Sequence, residues 1–382
     1  MKIVNGGITK PKGFLANGLC CGIKKSGKND LGLIYSEVPA ITSAVFTKNS
    51  VKAAPLYVSK KNLKNNKIQA IIVNSGNANC FTGKQGFKDA EDMAIDAAKS
   101  LAISSEDIIV SSTGIIGKLL PANKILKSIP KLAKNIKRNS AKALEFEKSI
   151  LTTDLNIKSK TIKLSLSGKD VFIGGCAKGS GMIAPNMATM LGFITTDLAI
   201  SSKMLNLALK EAVANSFNCI TVDGCISTND MVVLMANGLA DNDIIKAPCK
   251  DFKKFLEALK FICLDLAKKI VLDGEGATKF IEINIFGAKT DMQAKQIGLA
   301  IANSNLVKTA AYGCNPNWGR VASAVGSLGI NEITEENLKI EFSSFKKKNI
   351  SINVSLNLGK SDAKVYTSDL SYEYVRINGE YN

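Results

Sequence analysis

Histidine is absent from this chain of 382 residues. It is the side chain whose unperturbed pKa lies near neutrality, and it supplies the base in Ser-His-Asp and Cys-His catalysis. Both mechanisms are therefore excluded, and a carboxylate, a lysine, a tyrosine or a free α-amine must perform any proton transfer. The usual zinc sites also lack their ligands, because the nine cysteines include no CxxC pair. We expect no metal.

Long apolar runs are missing as well. No stretch approaches the roughly 18 uninterrupted apolar residues of a membrane-spanning helix, and residues 1–13 lack the apolar core of a secretory signal. The cysteines are odd in number and scattered, which is not the pattern of a disulfide framework. We expect a cytoplasmic protein with reduced thiols.

Charge is plentiful but strongly one-sided. Fifty Lys and Arg residues against 33 Asp and Glu residues give a formal net charge of +17. The lysines are spread along the chain and seldom lie beside aromatic residues, so a nucleic-acid function is not predicted. Attraction of small acidic molecules is a simpler consequence of the positive net charge. The hydrophobic content of 46% is enough for a globular protein of one or two domains.

Short apolar runs that end in small or turn-forming residues predict strands that lead into loops. In the first two-thirds of the chain, these runs are Ala70 to Val73, Ile108 to Val110 and Val171 to Ile173. Helical patterns lie between them, near Lys88 to Leu101 and Lys131 to Lys148. The alternation predicts an α/β architecture.

The later part of the chain continues this pattern. It predicts helices over Ser202 to Ser216 and Phe252 to Ile270. It predicts strands at 190–200, 280–286, 339–342, 351–356 and 372–377, and also in CITVDGCISTND (219–230) and MVVLMANG (231–238), around a polar turn. We predict a catalytic region over residues 1–279 and a smaller α/β domain over residues 280–382. No linker marks this boundary.

The segment SSTGIIG follows a β-rich run and contains Gly114 and Gly117. Small residues there would let backbone N–H groups approach a ligand closely, as in an oxyanion hole. A strand-to-helix turn with Thr113 as a helix cap explains the same residues.

The segment KGSGMIAPNMATMLGF places glycines, Pro185 and Asn186 before an apolar strand that begins near Thr189. Such a junction between a constrained loop and a buried strand is suited to holding a strained peptide bond, which a threonine hydroxyl could attack. A structural threonine at a strand edge is the alternative.

Two further polar segments are open to two interpretations each. Glu275, in DGEGATK, lies between glycines that would let its carboxylate turn into a pocket, although an exposed loop after a helix explains it equally. The segment from Tyr312 to Arg320 holds the only tryptophan and is either a binding loop or a well-packed corner.

Several long motifs occur together and in order: NSGNANCFTG, SSTGIIG, LTTD, AKGSGMIAPNMATML, VDGCISTND, DGEGATKF, GCNPNWGR and YEYVRIN. With them, the chain resembles the ornithine acetyltransferase family of arginine biosynthesis from end to end. The resemblance implies the self-processing αββα sandwich that this family shares with certain aminopeptidases, with a smaller C-terminal domain.

The same resemblance implies that the chain cuts itself between Ala188 and Thr189, into chains 1–188 and 189–382. Two copies of each would form a heterotetramer. The released α-amine of Thr189 would then act as the general base for its own hydroxyl, which answers the lack of histidine.

The implied reaction is a two-step transfer of an acetyl group from N-acetylornithine to glutamate through an acetyl ester on Thr189, without a bound cofactor. Thr113 and Gly114 would form the oxyanion hole. The substrate contacts carried over from the family are Thr152, Lys178, Thr189, Glu275 and Asn378. Thr153 remains an alternative to Thr152.

Three questions stay open after the resemblance. Acetyl-CoA is expected as a second acetyl donor, but an enzyme limited to N-acetylornithine would have the same motifs. The chain could also be an aminopeptidase of the same fold, or a basic binding protein without catalytic activity. Relatives usually end in a hydroxyl residue, whereas this chain ends at Asn382, so that terminal contact is in doubt.

Overall fold

A computed structural model describes residues 1–184 and 190–380 of the chain. The strands in these residues are β1 Lys2–Ile3, β2 Phe14–Leu19, β3 Leu31–Phe46, β4 Lys67–Asn77, β5 Ile108–Ile115, β6 Lys158–Leu166, β7 Lys169–Lys178, β8 Leu191–Thr196, β9 Met231–Ala236, β10 Phe280–Ala288, β11 Lys339–Phe342, β12 Asn349–Ser355 and β13 Ser361–Ser368. The α-helices are α1 Ala54–Asn62, α2 Gly83–Leu101, α3 Ala122–Lys134, α4 Ser140–Ser149, α5 Ser202–Ala214, α6 Lys250–Leu272, α7 Asp291–Ala302, α8 Asn305–Tyr312, α9 Trp318–Gly326 and α10 Tyr372–Gly379.

The chain divides into two compact units. Of the described residues, the first unit holds 1–179, 190–216 and 227–266, and the second holds 180–184, 217–226 and 267–380. The sheet of the second unit begins with β10, at the residue where the sequence predicts the smaller domain to start. A domain boundary at residue 280 stays a prediction, because the second unit also includes shorter segments from earlier in the chain.

The first unit is built on one large sheet with the order β1-β6-β7-β8-β9-β3-β4-β5, and β2 pairs with β3 beside this path. The long strand β3 pairs with β4 and, through Ile41 to Phe46, with β9. Strand β3 therefore belongs both to the half of the sheet that contains β4 and β5 and to the half that contains β8 and β9.

One buried apolar cluster contains side chains from both halves, such as Ile71 and Val73 of β4 with Phe193 and Val233 of β8 and β9. Phe146 of α4 meets Phe193 edge to face, with ring centroids 5.6 Å apart. Because the cluster takes residues from both halves, the sheet folds over and its two halves face each other across this core.

The opposite faces of the two halves are covered by helices. Ala70 and Ile72 of β4 point away from the central cluster and pack with Met93 of α2 and Ile129 of α3. On the other half, a Cβ placed on Gly175 of β7 would lie 2.9 Å from Ile262 of α6, so this helix packs closely on the sheet. The predicted α/β class and αββα layering are confirmed.

The second unit contains a smaller sheet with the order β11-β12-β10-β13. Ile281, Ile283 and Ile285 of β10 are buried in one cluster with Ile297 and Ile301 of α7. Alternate apolar residues of the strand therefore face the helix, as a half-buried strand requires.

Three local predictions are wrong. The segment 219–230 holds no strand, only an isolated bridge between Ile220 and Tyr366.

Lys131 to Lys148 is not one helix: α3 ends at Lys134, and α4 starts anew after Asn139, whose side chain accepts the N–H of Lys142 as an N-cap. The segment predicted as a strand at 372–377 is helix α10, capped by the hydroxyl of Ser371. At these two caps a local side chain outweighs the apolar pattern.

None of the described helices is long and apolar enough to cross a membrane.

Candidate active site

Thr113 and Gly114 lie at the end of β5, where it runs parallel to β4 and Gly114 pairs with Gly76. Gly114 has φ of +133°, and a Cβ on it would lie 2.4 Å from the carbonyl carbon of Gly76. Only glycine fits this close approach. Thr113 is within the strand, and α3 begins later, after Pro121, so the interpretation of Thr113 as a helix cap is wrong.

This end of β5 is held in place by the buried side chain of Asn229. Its amide nitrogen donates to the carbonyl oxygen of Ala78 at 2.6 Å and to that of Ser112 at 2.8 Å. Ser112 directly precedes Thr113, so one side chain connects the loop after β4 to the predicted oxyanion hole.

At the end of β7 the structure brings together two residues predicted to bind substrate. The ammonium group of Lys178 donates to the hydroxyl of Thr152 at 2.8 Å. Lys178 is only 3% exposed, and Asp154 Oδ2 lies 3.8 Å from its Nζ. Asp154 also forms a 2.7 Å ion pair with the equally buried Lys158. The structure thus joins Lys178 to Thr152; the choice of Thr152 over Thr153 as a substrate contact stays a prediction.

Asp154 is the shared counter-charge of two buried lysines. It also accepts the backbone N–H of Thr152 at 3.0 Å and of Gly179 at 2.7 Å. Burial alone would raise the pKa of Asp154, but Lys178, Lys158 and these hydrogen bonds outweigh burial and hold its pKa well below the usual range. The carboxylate stays ionised and keeps Lys178 in position.

We expect Asp154→Asn to lower the free energy of unfolding by about 3–5 kcal/mol, because it removes the negative charge shared by two buried ammonium groups. Urea denaturation at pH 7 measures this loss. The control is Asp170→Asn in the exposed pair Lys163–Asp170, whose N–O distance is 2.6 Å. This control should lose less than about 1 kcal/mol. Equal losses would contradict the role of Asp154.

The same carboxylate predicts a pH dependence. Its folded pKa is below the unfolded value of about 3.9, so its contribution is complete above about pH 5 and is lost as the pH falls towards the folded pKa. The difference in stability between wild type and Asp154→Asn should therefore shrink below about pH 4. A constant difference from pH 7 to pH 3 would contradict this assignment.

A cavity of about 710 Å³ opens beside Thr152 and Asp154. Three lysines also line it: Lys24, Lys28 and Lys148. Partial burial lowers the pKa of Lys24 to about 8, against an opposing effect of Asp30. The cavity is large enough for an amino-acid substrate, and its three lysines outnumber the two carboxylates that line it, Glu145 and Asp154.

In the second unit, the structure brings together the two other predicted contacts. The amide nitrogen of Asn378, on α10, donates to Oε2 of Glu275 at 2.9 Å. Glu275 is only 8% exposed, so the interpretation of an exposed loop residue is wrong. Its carboxylate lies against Gly181, where an added Cβ would come within 2.2 Å of Oε2.

The segment from Tyr312 to Arg320 is not a packed corner. It also makes no described contact with Glu275 or Asn378. It forms the junction of α8 and α9, with Trp318 48% exposed.

Thr189, the predicted nucleophile, and Ala188 lie outside the described residues. Met190, the next residue in the chain, is described: its N–H donates to Oδ1 of Asp230 at 3.0 Å. Burial raises the pKa of Asp230 well above its usual range, against opposing effects that include the N–H of Met190 and the charge of Lys178.

Sequence reasoning missed Asp154, Asn229 and Asp230, although they stand in the quoted motifs LTTD and STND. The available signal was their position beside Thr152 and within a polar turn between strands. Across the described residues, 1–184 and 190–380, no group of three acidic or cysteine side chains could hold a metal ion.

Comparison with known proteins finds relatives over the full length of the chain. The sequence model of the family described as "ArgJ family" matches residues 15–382. The chain is 46% identical over 400 residues to the "Arginine biosynthesis bifunctional protein ArgJ" of Bacillus thuringiensis subsp. konkukian, with 100% of this chain and 97% of the relative covered. It is 45% identical over 404 residues to the protein of the same name from Caldanaerobacter subterraneus subsp. tengcongensis, with both covered completely.

A solved structure of the arginine biosynthesis bifunctional protein from Bacillus halodurans is 42% identical and covers 49% of this chain and 98% of its own, with a TM-score of 0.47. Because the family model and the full-length relatives both extend over the motifs described above, the chain belongs to the ArgJ family of bifunctional arginine-biosynthesis proteins.

Proposed function

We propose that this chain transfers an acetyl group from N-acetylornithine to glutamate through an acetyl ester on Thr189. The α-amine of Thr189 is released when the chain cuts itself after Ala188. One observation carries the proposal: the ammonium group of Lys178 is buried, held by an ionised carboxylate, and bonded to the hydroxyl of Thr152. A fixed buried cation beside a hydroxyl is suited to the α-carboxylate that both substrates have.

The transfer has two balanced steps. The Thr189 hydroxyl attacks the acetyl carbonyl and gives its proton to its own α-amine; the C–N bond then breaks, and the departing ornithine nitrogen takes that proton. In the second step the α-amine of glutamate attacks the ester, and the Thr189 oxygen recovers a proton as N-acetylglutamate leaves. Thr113 and the N–H of Gly114 are proposed to stabilise the oxyanion in both steps.

Glu275 and Asn378 are proposed to bind the amino end of the substrate. A carboxylate oriented by an amide is a suitable partner for an ammonium group, either the side-chain amine of ornithine or the α-amine of Thr189. Thr189 itself would contact the substrate through the ester.

The broader assignment follows the family. We propose a cytoplasmic enzyme without a bound cofactor, assembled as a heterotetramer from two chains 1–188 and two chains 189–382. The relatives are named bifunctional, and we propose acetyl-CoA as the second acetyl donor.

Isotope exchange tests the proposal directly. Labelled ornithine should enter N-acetylornithine when glutamate is absent, because the first step is complete and reversible without the acceptor. Lys178→Met should lose this exchange mainly through a higher KM. Lys160→Met is the control, since Lys160 pairs with Asp265 in a partly exposed position away from Thr152. Absence of exchange in the wild type, together with transfer to glutamate, would contradict the ester intermediate.

Two further assays distinguish this enzyme from one that uses only N-acetylornithine as donor and from an aminopeptidase of the same fold. Formation of N-acetylglutamate from acetyl-CoA as sole donor is the expected result for a bifunctional enzyme, and its absence would leave N-acetylornithine as the donor. Hydrolysis of peptide amides without transfer to glutamate would instead identify an aminopeptidase.

A further inference from the structure

Asp230 holds the backbone immediately after the proposed nucleophile. Its side chain is completely buried, and its Oδ1 accepts the N–H of Met190, the residue that follows Thr189 in the chain. The N–H of Met231 donates in turn to the carbonyl oxygen of Met190 at 3.3 Å. These two bonds join the start of β8 to the start of β9.

The second carboxyl oxygen of Asp230 is equally buried and has no hydrogen-bond partner among the described residues. A buried carboxyl oxygen without a partner is costly, so stability alone does not account for Asp230.

Asn229, which directly precedes Asp230 in the chain, makes a corresponding connection to the end of β5. Its two hydrogen bonds hold the carbonyl oxygens of Ala78 and Ser112, and Ser112 precedes the proposed oxyanion hole. Two consecutive buried side chains therefore hold the strand that follows the nucleophile and the strand that ends in the oxyanion hole.

We propose that Asn229 and Asp230 are positioning residues, which together hold Met190, the residue directly after the proposed nucleophile, in place relative to the end of β5 that carries Thr113 and Gly114. This inference rests on the proposed function. Rates of acyl transfer depend steeply on such positioning, and a displacement of about 1 Å can cost about 100-fold.

Burial favours the neutral form of Asp230. It raises the pKa of this carboxyl group well above the usual range, against opposing effects that include the Met190 N–H and the Lys178 ammonium. A neutral carboxyl group offers one acceptor and one O–H donor, and the amide of asparagine offers the same pattern in the same shape.

The test compares Asp230→Ala and Asp230→Asn in the full-length chain, by the rate of self-cleavage and by kcat per folded protein. Asp230→Ala should slow both by about 100-fold. Asp230→Asn should restore both to within about tenfold of wild type, with an unchanged pH profile of kcat between pH 6 and 9.

Asp197 provides a matched control at the opposite end of β8. It is also completely buried, and its carboxylate accepts the N–H groups of Lys12 at 3.0 Å and Phe172 at 2.8 Å. Asp197→Ala should reduce stability to a similar degree and leave the rate of self-cleavage per folded molecule unchanged.

Asn229→Ala is a second test of the proposal, and it remains valid if Asp230→Ala does not fold. Its control is Asn62→Ala, because Asn62 bridges the carbonyl oxygens of Ser105 and Ile108 at the other end of β5 in the same way. Asn229→Ala should lower kcat by about 100-fold with little change in KM, and Asn62→Ala should lower only stability.

Three results would overturn the inference: Asp230→Ala as fast as Asp197→Ala, Asp230→Asn as slow as Asp230→Ala, or Asn229→Ala no slower than Asn62→Ala. A wild-type chain that is not cut after Ala188 would instead contradict the proposed function. The two failures are therefore distinguishable in one set of purified proteins.

Discussion

Thr189→Ala should remain one uncut chain and lose acetyl transfer, with kcat reduced on the order of 10⁶-fold, as when a covalent nucleophile is removed. The substitution removes the hydroxyl that is proposed both to attack the preceding peptide bond and to carry the acetyl group. Without cleavage the α-amine, the proposed general base, is also never released. Intact-mass analysis and the exchange of labelled ornithine measure the two effects.

Thr189→Ser is the matched control, because it keeps the hydroxyl and, after cleavage, the α-amine. It should be cut after position 188 and retain measurable transfer. An uncut wild-type chain that still transfers acetyl would show that the base is not the α-amine of Thr189. A cut and active Thr189→Ala would place the nucleophile elsewhere.

Gly114→Ala should reduce kcat by about 10²–10³-fold, which is the typical cost of losing one oxyanion donor. The new Cβ would lie 2.4 Å from the Gly76 carbonyl carbon and 2.5 Å from the Asn77 nitrogen, and both are backbone atoms that cannot rotate away. The end of β5 must therefore shift and take the N–H of Gly114 with it. Self-cleavage should slow as well, since it passes through the same kind of oxyanion.

Gly117→Ala separates this effect from backbone strain alone. Gly117 has φ of +83°, so alanine there is also strained, but nothing lies within 4 Å of the added Cβ. This control should lose about 1–2 kcal/mol of stability with kcat within a few-fold of wild type. If both variants lose kcat equally, strain in the loop and not displacement of the donor is the cause.

The correct predictions came from features that are local in the chain. The strands at Ala70 to Val73 and Ile108 to Val110 were predictable because a short apolar run bounded by turn-forming residues suits a buried strand. The absence of histidine excluded a histidine base by chemistry alone, and the α-amine of Thr189 as base stays a proposal. Ordered motifs then identified the family, which the full-length relatives support.

Predictions failed where a single side chain overrides an apolar pattern. The cap at Asn139 starts a new helix, and the cap at Ser371 turns an expected strand into α10. Both changes depend on one hydrogen bond to a backbone N–H, and an apolar pattern averaged over many residues does not register such a bond.

The sequence by itself determined the fold class and the family, because these follow from ordered local motifs; it also predicted Thr152, Lys178, Glu275 and Asn378 as substrate contacts. Only the tertiary structure decided which of them meet: Lys178 with Thr152, and Asn378 with Glu275. It alone revealed Asp154 and Asp230 as buried carboxyl groups with opposite pKa shifts. The physical reason is that burial and neighbouring charges set a pKa, and both come from residues distant in the chain.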